Sequence, residues 1–399
     1  MTGSRAAQPR VYQVLVGLAL RGAEVHAIRL ATRLSECGVA GGLIFNYDHE
    51  PAADARARGL EVHVVPKHRR GDPTVIPRLA ATIRRLRADL VHTHLVNGNF
   101  FGRLASLFVP GLSVISTVHN YGDALVAVRN ERERRFIYQQ DIWTSVLADR
   151  VIAVTESLRD RLVADGMPPA RVVAILNGVD TERFDPARVR RGAFRAELGI
   201  APQTCLLASA GRLVPPKGFD RFLEVVAGLR QRGVDAAALI LGDGPERERL
   251  LAQAQSLGLG ARVFLPGYRD DLEQVYADID GFVLCSETET TSLVTLEAMA
   301  MEKPVAVWAV GSLPEVLVGE SAGFLVPHGN VGGLVDAVAR FAADPARAAD
   351  MGRAGRGIVE ARFSERAQIA ATVAVYRDAL ARRGKRFACF ETVASPTGG

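Results

Sequence analysis

Residues 281–308 read GFVLC SETETTS LVTLEAMAM EKPVAVW, and this stretch decides the fold. An apolar run of strand length comes first, and a loop rich in Ser and Thr, which favour helix N-termini, follows it. A short helix comes next, and Pro304 prevents that helix from continuing. A second apolar run closes the unit. The stretch therefore predicts a β-loop-α-β unit whose helix begins just past the carboxyl end of a strand.

Two carboxylates flank this helix N-terminus. Glu289 lies in the loop and Glu297 lies inside the helix, with seven residues between them. Open α/β sheets bind ligands at the carboxyl ends of their strands, and backbone N–H groups at a helix N-terminus favour phosphate. A phosphate site beside two carboxylates that accept hydrogen bonds from hydroxyls suits a nucleotide-sugar. We expect the pyrophosphate to meet the helix end and the two Glu side chains to hold the hydroxyls of two sugars.

Length and composition place the chain among α/β proteins of two or three domains, since it has 399 residues and 48% hydrophobic residues. No apolar run approaches the roughly 20 residues that span a bilayer. Residues 1–10 lack the apolar core of a signal peptide, so we expect a cytoplasmic protein. The four cysteines show neither metal-ligand spacing nor a disulfide pattern.

The net charge of +5 is unevenly distributed. Residues 1–183 hold 24 Lys and Arg against 18 Asp and Glu, a balance of +6, whereas the remainder holds 25 against 26, a balance of −1. The first half is thus suited to an acidic acceptor or to peripheral contact with the inner face of an anionic membrane. The alternative is that Arg decorates solvated helix faces, because Arg and Glu interleave in residues 129–135.

Strand-like apolar runs alternate with helical patterns through both halves of the chain. This alternation predicts two parallel, doubly wound sheets. The expected strands are residues 11–16, 42–46, 62–65, 90–94, 113–119, 150–154 and 172–176 in the first half, and 206–210, 237–241, 263–265, 281–285, 305–308 and 323–326 in the second. Residues 183–203 show no strand pattern and are expected to connect the halves. The first glycine turn, residues 17–22, is not G-x-G-x-x-G, so no dinucleotide cofactor is indicated.

Polar residues of the first half occur where ligands of such sheets bind. His94 and His119 fall at the carboxyl ends of expected strands and suit polar contacts to a donor or acceptor sugar; the alternative is a hydrogen-bonded core histidine. His92 and His94 share a strand face, but no third metal ligand is evident. Gly22 lets a ligand approach the backbone, and Glu24 is either an acceptor contact or a surface residue near a helix N-terminus.

In the second half, the turn from Gly211 to Gly218 carries Arg212 and Lys217, which can converge on one anion. Each charge-assisted hydrogen bond to phosphate contributes roughly 1.5–3 kcal/mol. The alternative is a surface loop with two cations. The turn lacks the G-x-x-x-x-G-K-[ST] pattern of a Walker A loop. Residues 278–280, Asp-Ile-Asp, precede a strand instead of following one, so we interpret them as a helix-to-strand turn and not as a metal motif.

Taken together, these motifs resemble the retaining glycosyltransferases of family 4, which have the GT-B fold. The residues that carry the resemblance are Gly22-Ala-Glu24, His94, Val118-His119, Asn177-Gly-Val-Asp180, Gly211-Arg212, Lys217-Gly218, Gly242-Asp-Gly-Pro245, Glu289, and Glu297 within Leu296-Glu-Ala-Met-Ala300. The resemblance implies two Rossmann-like domains facing each other across a cleft. An acceptor-binding domain would comprise residues 1–183, a linker 184–203, and a donor-binding domain 204–363. Residues 364–399 would form a helix that crosses back to the first domain and a flexible tail.

The resemblance also implies roles for individual residues. Arg212 and Lys217 would hold the diphosphate, Glu297 the ribose hydroxyls and Glu289 the donor-sugar hydroxyls, while His119 would lie beside that sugar. The catalytic set is therefore Arg212, Lys217, His119 and Glu289. Donor binding is expected at Gly22, Gly211, Arg212, Lys217, Gly242, Gly267, Tyr268, Glu289, Ser292, Leu293 and Glu297, with backbone N–H groups of Gly22, Ser292 and Leu293 taking part. Acceptor binding is expected at Glu24 and His94.

The implied reaction moves a sugar from a nucleotide-sugar, by family frequency a UDP-sugar, to a glycan, lipid-linked or small-molecule acceptor. Cationic side chains aimed at the departing diphosphate make a metal unnecessary, so no cofactor, no metal and no nucleic-acid partner is expected. Two departures from the family pattern bear on specificity: Arg21 replaces a glycine, and residues 290–292 read Thr-Thr-Ser where Gly-Phe-Gly is common. The alternatives are a nucleotide-sugar 2-epimerase of the same architecture and a non-catalytic nucleotide-sugar-binding protein.

Overall fold

The computed structural model describes residues 8–16, 21–69, 72–119, 130–387 and 389. The chain divides into two compact units. Unit 1 comprises residues 1–176 and 368–399, and unit 2 comprises residues 177–367.

Unit 1 is built on a parallel sheet of seven strands in the order β3-β2-β1-β4-β5-β6-β7. Its strands are β1 (Val11–Leu15), β2 (Gly41–Phe45), β3 (Glu61–Val64), β4 (Leu90–His94), β5 (Ser113–Val118), β6 (Arg150–Ala153) and β7 (Val172–Ala174). Its helices in the described residues are α1 (Arg21–Glu36), α2 (Glu50–Ala57), α3 (Val75–Arg85), α4 (Leu95–Ser106), α5 (Glu131–Thr144) and α6 (Glu156–Ala164).

Unit 2 has a parallel sheet of six strands in the order β10-β9-β8-β11-β12-β13. Its strands are β8 (Cys205–Ala210), β9 (Ala236–Leu241), β10 (Val263–Gly267), β11 (Gly281–Leu284), β12 (Val305–Trp308) and β13 (Gly323–Val326). Its helices are α7 (Ala193–Glu197), α8 (Phe219–Gln231), α9 (Arg247–Ser256), α10 (Leu272–Asp278), α11 (Leu293–Ala300), α12 (Leu313–Val316), α13 (Val331–Ala343) and α14 (Pro345–Arg362).

The strands of unit 2 are apolar because helices cover both faces of a parallel sheet. Every residue of β9 and of β11 is buried, as expected when neither face meets water. Helix α8 packs against this sheet through an apolar face that includes Phe222, Leu223 and Val226. Both sheets confirm the predicted α/β class with two doubly wound halves, and each predicted strand is present, with ends shifted by no more than two residues.

The segment that we expected to be a linker, residues 184–203, lies within unit 2 and carries α7. The Asp278 carboxylate accepts hydrogen bonds from the backbone N–H groups of Phe194 (2.8 Å) and Arg195 (3.1 Å) at the start of this helix. Arg195 also pairs with Asp280 at 2.5 Å. The Asp-Ile-Asp turn thus anchors the segment, which confirms that this turn is structural.

A last helix, α15 (Glu365–Ala381), belongs to unit 1 from Gln368 onwards. Val373, Tyr376 and Leu380 are buried in an apolar cluster with residues of β1, β4, β5 and β6. In the parts of the chain that the structure describes, no helix combines the length and the apolar character that crossing a bilayer requires.

Candidate active site

The carboxyl edge of the unit 2 sheet has a topological switch point between β8 and β11. The chain leaves β8 towards β9 on one side and leaves β11 towards β12 on the other. The loops that follow β8 and β11 therefore diverge and leave a crevice, which is where doubly wound sheets bind ligands.

Glycine allows the loop after β8 to lie against the end of β11. Gly218 has a φ of 64°, and a Cβ atom built there would lie 1.9 Å from the carbonyl oxygen of Cys285. Any other residue would therefore push the two loops apart. The Glu287 N–H donates to the Pro216 carbonyl at 2.8 Å and joins the loops a second time.

Lys217 and Glu289 meet across the switch point. The Lys217 Nζ donates to Glu289 Oε1 at 2.8 Å, with the Lys217 side chain 23% exposed and the Glu289 side chain 8% exposed. The structure thus brings together the cation expected to hold a diphosphate and the carboxylate expected to hold a sugar. A ligand that carries a diphosphate and a sugar can replace this ion pair, with its diphosphate bound to Lys217 and a sugar hydroxyl bound to Glu289.

The turn after β12 fixes the backbone beside Glu289. Gly311 has a φ of 55°, and a Cβ atom at this position would lie 1.6 Å from the Glu289 carbonyl oxygen. Gly311 thereby holds the loop that carries the carboxylate.

Glu297 lies one helix turn inside α11 and is half-buried. It lies close to Tyr276 of α10, where burial first and then the negative charge of Glu297 raise the pKa of Tyr276 well above its usual value. Tyr276 is fully buried and packs near Phe184 and Phe282, with ring centroids 6.2 and 6.0 Å away. A rigid aromatic cluster therefore lies behind Glu297.

At the N-terminus of α11, the Leu293 N–H donates to the Thr291 carbonyl at 3.0 Å. The Ser292 hydroxyl hydrogen-bonds with the Thr295 hydroxyl at 2.8 Å. The Leu293 N–H can therefore bind phosphate only after its hydrogen bond to the Thr291 carbonyl opens.

The ends of β8, β9 and β10 carry glycines at which the loops approach each other. A Cβ atom on Gly242 would lie 2.0 Å from the Gly211 carbonyl oxygen, and the Gly242 N–H donates to the Gly267 carbonyl at 2.9 Å. The Arg212 side chain, which follows Gly211, is exposed, and among the described residues it has no hydrogen-bonding or ionic partner. Tyr268, after β10, is 62% exposed. Arg212 is thus positioned to meet an anion that arrives from solvent.

The unit 1 sheet has its own switch point, between β1 and β4, and a histidine cluster lies there. His94 Nδ1 lies 3.1 Å from His119 Nε2. The His26 ring centroid lies 5.7 Å from that of His94 and 5.3 Å from that of His119. Burial lowers the pKa of His94 and of His119 well below the usual value and lowers that of His26 to about 4. All three rings are therefore neutral at pH 7.

Within the described residues, no group of three His, Cys, Asp or Glu side chains is arranged to hold a metal ion. His92 and His94 instead have hydrogen-bond partners: His92 lies 2.6 Å from the Tyr376 and Thr117 hydroxyls, and His94 lies 2.9 Å from Gln13 Oε1.

Glu24 is buried in the first turn of α1, and its Oε1 lies 2.7 Å from His49 Nε2. The other carboxylate oxygen, Oε2, is also buried and has no hydrogen-bond partner among the residues that the structure describes. The surface interpretation of Glu24 is therefore wrong. A Cβ atom on the neighbouring Gly22 would meet nothing within 4 Å, so the space beside it is open. Residues 17–20 of this turn lie outside the described residues.

Comparison with known proteins assigns a family to this arrangement. Residues 20–183 match the model of Glycosyltransferase Family 4, and residues 190–357 match the model of Glycosyl transferases group 1. The chain belongs to glycosyltransferase family 4. This family-4 glycosyltransferase is 31% identical to the D-inositol 3-phosphate glycosyltransferase of Saccharomonospora viridis, over 93% of this chain and 88% of the relative.

A second relative of this family-4 glycosyltransferase is the GDP-mannose-dependent alpha-(1-6)-phosphatidylinositol monomannoside mannosyltransferase of Mycolicibacterium smegmatis. It is 29% identical over 71% of this chain and 77% of the relative. Among solved structures, HepE of Anabaena in complex with UDP superposes with a TM-score of 0.80 at 20% identity, covering 92% of this chain and all of that chain. This likeness shows that the two domains have the GT-B fold.

Several residues that lie beside the predicted site residues or their partners had no role in the sequence analysis: Gln13, His26, His49 and Tyr376 in unit 1, and Tyr276 and Gly311 in unit 2. Two of them carry a recognisable sequence signal. Gln13 is a polar residue inside an otherwise apolar strand, and Gly311 lies three residues past the end of an expected strand and precedes Ser-Leu-Pro. The other four lie in helices or loops, and the sequence around them gives no such signal. Only the fold brings them to their present neighbours.

Proposed function

We propose that this family-4 glycosyltransferase is a retaining enzyme that moves a sugar from a UDP-sugar to a hydroxyl of a glycan, lipid-linked or small-molecule acceptor. The observation that carries the proposal is the Lys217–Glu289 ion pair, 2.8 Å long, at the switch point of the unit 2 sheet. A cation for the diphosphate and a carboxylate for the sugar hydroxyls lie side by side there, as the two ends of a nucleotide-sugar require.

The donor binds to unit 2. Its diphosphate takes Lys217 away from Glu289 and recruits the exposed side chain of Arg212, while the backbone N–H groups of Ser292 and Leu293 approach the phosphate oxygens. Glu297 accepts hydrogen bonds from the ribose. The nucleotide lies along Gly211, Gly242, Gly267 and Tyr268. The space beside Gly267 is open for it, since a Cβ atom there would meet nothing within 4 Å.

The reaction breaks the bond between the anomeric carbon and the diphosphate oxygen. Negative charge grows on the leaving diphosphate, and Lys217 and Arg212 stabilise it in the transition state. The acceptor oxygen attacks from the face that the diphosphate leaves, and its proton passes to a phosphate oxygen of the leaving group, so the anomeric configuration is retained. Glu289 and His119 orient the donor sugar through its hydroxyls.

We propose that the transfer does not require a divalent cation, because the two cationic side chains supply the charge that a metal would supply. Initial rates are measured after treatment with a chelator and dialysis. Full activity supports this point, and a loss that Mg²⁺ or Mn²⁺ restores contradicts it.

The acceptor binds to unit 1, at Glu24 and His94. The orphaned Oε2 of Glu24 supports this assignment, since a buried carboxylate oxygen without a partner needs a donor such as a sugar or polyol hydroxyl. Relatives of this chain include enzymes named for inositol phosphate and for a phosphatidylinositol mannoside, so acceptors that carry an inositol ring are the first to test.

Unit 1 also has features that suit peripheral contact with an anionic membrane. Phe136 and Trp143 of α5 are exposed, at 55% and 63%, and lie seven residues apart on one face of the helix. Arg132, one turn before Phe136 on that face, is exposed as well. Apolar and cationic groups on one helix face suit a lipid surface. Co-sedimentation with phosphatidylglycerol vesicles that Phe136→Ser abolishes supports the contact; equal binding of the variant contradicts it.

The decisive experiment has two stages. A thermal-shift screen of UDP, GDP and ADP identifies the nucleotide, since binding to the folded state raises the melting temperature. We expect UDP to give the largest shift, and a larger shift with GDP contradicts the uridine assignment. The matching nucleotide-sugars are then incubated with acceptors, and the anomeric configuration of the product is determined by NMR. An inverted product, or donor consumption without an acceptor, contradicts the proposal.

A further inference from the structure

We propose that Tyr376, acting through Gln13, fixes which ring nitrogen of His119 carries the proton and thereby makes the His119 Nδ1 a hydrogen-bond acceptor for a substrate hydroxyl. Tyr376 is thus a positioning residue on the last helix. The inference rests on the proposed function in one respect, namely that His119 contacts a sugar substrate.

The first part of the network links α15 to the sheet. The Tyr376 hydroxyl is buried 2.6 Å from His92 Nδ1 and also accepts from the Gln13 Nε2 at 3.4 Å. Because the hydroxyl accepts from Gln13, its own proton is available for His92 Nδ1. The His92 Nε2 then donates to the Thr117 hydroxyl at 2.6 Å. Each donor in this part therefore meets an acceptor.

The second part runs from Gln13 to His119. The Gln13 Oε1 lies 2.9 Å from His94 Nε2, and a carbonyl oxygen only accepts, so His94 carries its proton on Nε2. Burial keeps this ring neutral by lowering its pKa, which leaves Nδ1 with a lone pair. His119 Nε2, 3.1 Å from that Nδ1, must then donate.

A neutral imidazole carries one proton, so His119 with N–H at Nε2 has its lone pair at Nδ1. That nitrogen accepts a hydrogen bond from a sugar hydroxyl and does not donate one. Whether His119 Nδ1 accepts or donates affects sugar binding. A sugar hydroxyl that donates to His119 keeps its lone pairs for other hydrogen-bond donors.

Tyr376 is needed because a glutamine amide can be reversed end for end. If Gln13 turned its NH₂ group towards His94, every proton along the network would shift and His119 would carry N–H at Nδ1. In the proposed arrangement the Tyr376 proton is directed at His92, so the hydroxyl offers Gln13 a lone pair and favours the NH₂ end of the amide. Removal of the hydroxyl removes this constraint.

The test is the ¹⁵N spectrum of ligand-free protein labelled at histidine, with His119 assigned from a His119→Gln sample. We expect wild-type His119 to show a protonated Nε2 and an unprotonated Nδ1. In Tyr376→Phe we expect the protonated fraction at Nδ1 to rise, as Gln13 samples both orientations. A wild-type proton on Nδ1, or an unchanged pattern in Tyr376→Phe, overturns the inference.

Tyr12→Phe is the matched control. Tyr12 is a fully buried tyrosine of β1, beside Gln13 in sequence, but its hydroxyl donates to Glu61 Oε2 at 2.9 Å and not to the histidine network. We expect its His119 spectrum to match the wild type, and an equal change in both variants overturns the inference. Gln13→Leu is the second variant: it keeps the tyrosine hydroxyl, removes the amide, and should likewise lose the single tautomer.

Kinetics separate this inference from the proposed function. We expect Tyr376→Phe to lower kcat/KM roughly tenfold, as loss of the outer hydrogen-bond partner does for metal-binding histidines, while Tyr12→Phe does not. If the spectra change as expected but His119→Gln has wild-type kinetics, the substrate contact of His119 is refuted, and with it the acceptor role of Nδ1. If the spectra do not change, the network itself is refuted, whatever the kinetics.

Discussion

Gly311 lies with its α-carbon against the carbonyl group of Glu289, and no side chain fits between them. A Cβ atom at Gly311 would lie 1.6 Å from the Glu289 oxygen, and the residue has a φ of 55°. The turn after β12 therefore determines where the loop after β11 places its carboxylate. Both the close contact with Glu289 and the positive φ therefore require glycine at position 311.

We expect Gly311→Ala to lower kcat/KM by about 100-fold, because a displacement of about 1 Å at a substrate-positioning group has effects of that size. The left-handed backbone adds a stability cost of about 1–2 kcal/mol. Steady-state kinetics and thermal unfolding measure the two effects.

Gly319→Ala is the matched control for this substitution. Gly319 has a φ of 75°, but a Cβ atom there would meet nothing within 4 Å. The control therefore shares the backbone strain without the clash at Glu289. If the two variants lose activity equally, the contact of Gly311 with Glu289 does not explain the loss.

Lys217→Ala should lower kcat by about 10²–10³, the usual result of removing a group that stabilises charge in the transition state. Arg221→Ala is the control, since Arg221 is an exposed cation on α8 that pairs with Glu224. Steady-state kinetics with the true donor measure both variants. A change of less than about threefold for Lys217→Ala would remove this residue from the catalytic set.

Glu289→Ala should separate sugar recognition from nucleotide recognition. Lys217 loses its partner but keeps its charge, so we expect calorimetry to show near-normal affinity for the free nucleoside diphosphate. The kcat/KM for the sugar donor should fall, while Glu287→Ala, an exposed carboxylate in the same loop, should behave as wild type. A collapse of diphosphate affinity in Glu289→Ala would reassign the carboxylate to the nucleotide.

The histidine cluster predicts a stability loss in mild acid. The pKa of His26 is lowered to about 4, mainly by burial and secondarily by Arg29, whereas an unfolded histidine titrates near 6.5. As the pH falls from about 6.5 towards 4, the unfolded state binds more protons, so the free energy of unfolding decreases. The stabilisation is fully present above pH 6.5, and the loss attributable to His26 reaches at most about 3 kcal/mol at pH 4.

Urea unfolding at several pH values between 7 and 4.5 checks this pH dependence. His26→Gln should flatten it in part, because His92, His94 and His119 also have lowered pKa values and remain. Equal slopes for wild type and His26→Gln would show that His26 takes up its proton as readily in the folded chain as in the unfolded one.

The sheets could be predicted from sequence because their signals are local. Buried parallel strands such as β9 and β11 are short, continuous apolar runs, and glycine turns and helical patterns separate them. The expected position of a site at the carboxyl ends of β8 and β11 followed from the same alternation. The local patterns indicated that Arg212 could bind an anion and that Glu297 could bind sugar hydroxyls. The resemblance to a family narrowed these to the diphosphate and the ribose, and both roles stay predictions.

The contacts inside the site could not be predicted from sequence, because strand order creates them. Lys217 and Glu289 are 72 positions apart and meet because β8 lies beside β11. Tyr376 and His92 are 284 positions apart and meet because α15 packs on the unit 1 sheet. Nothing in the local pattern around these residues indicates either neighbour. Segment 184–203 lacks strand periodicity, and its place in unit 2 depends on side-chain caps from Asp278.

A buried ion pair joins α4 to α5 and yields the last prediction. Arg103 Nη1 lies 2.6 Å from Asp141 Oδ1, both side chains are fully buried, and Arg103 Nε also donates to Ser116 at 2.9 Å. Asp141→Ala leaves an uncompensated guanidinium in the core, so we expect a loss of about 3–5 kcal/mol of unfolding free energy. Replacing both members with apolar residues, as in Arg103→Met with Asp141→Leu, should restore much of that loss, because no buried charge then remains.

Asp54→Ala is the control for this prediction, since it removes an exposed partner of Arg58 in the same unit. It should cost no more than about 1 kcal/mol of unfolding free energy. Urea denaturation of the wild type, Asp141→Ala, the double variant and Asp54→Ala measures these free energies. If the double variant is as unstable as Asp141→Ala, the loss arises from altered packing between the helices and not from the unpaired charge.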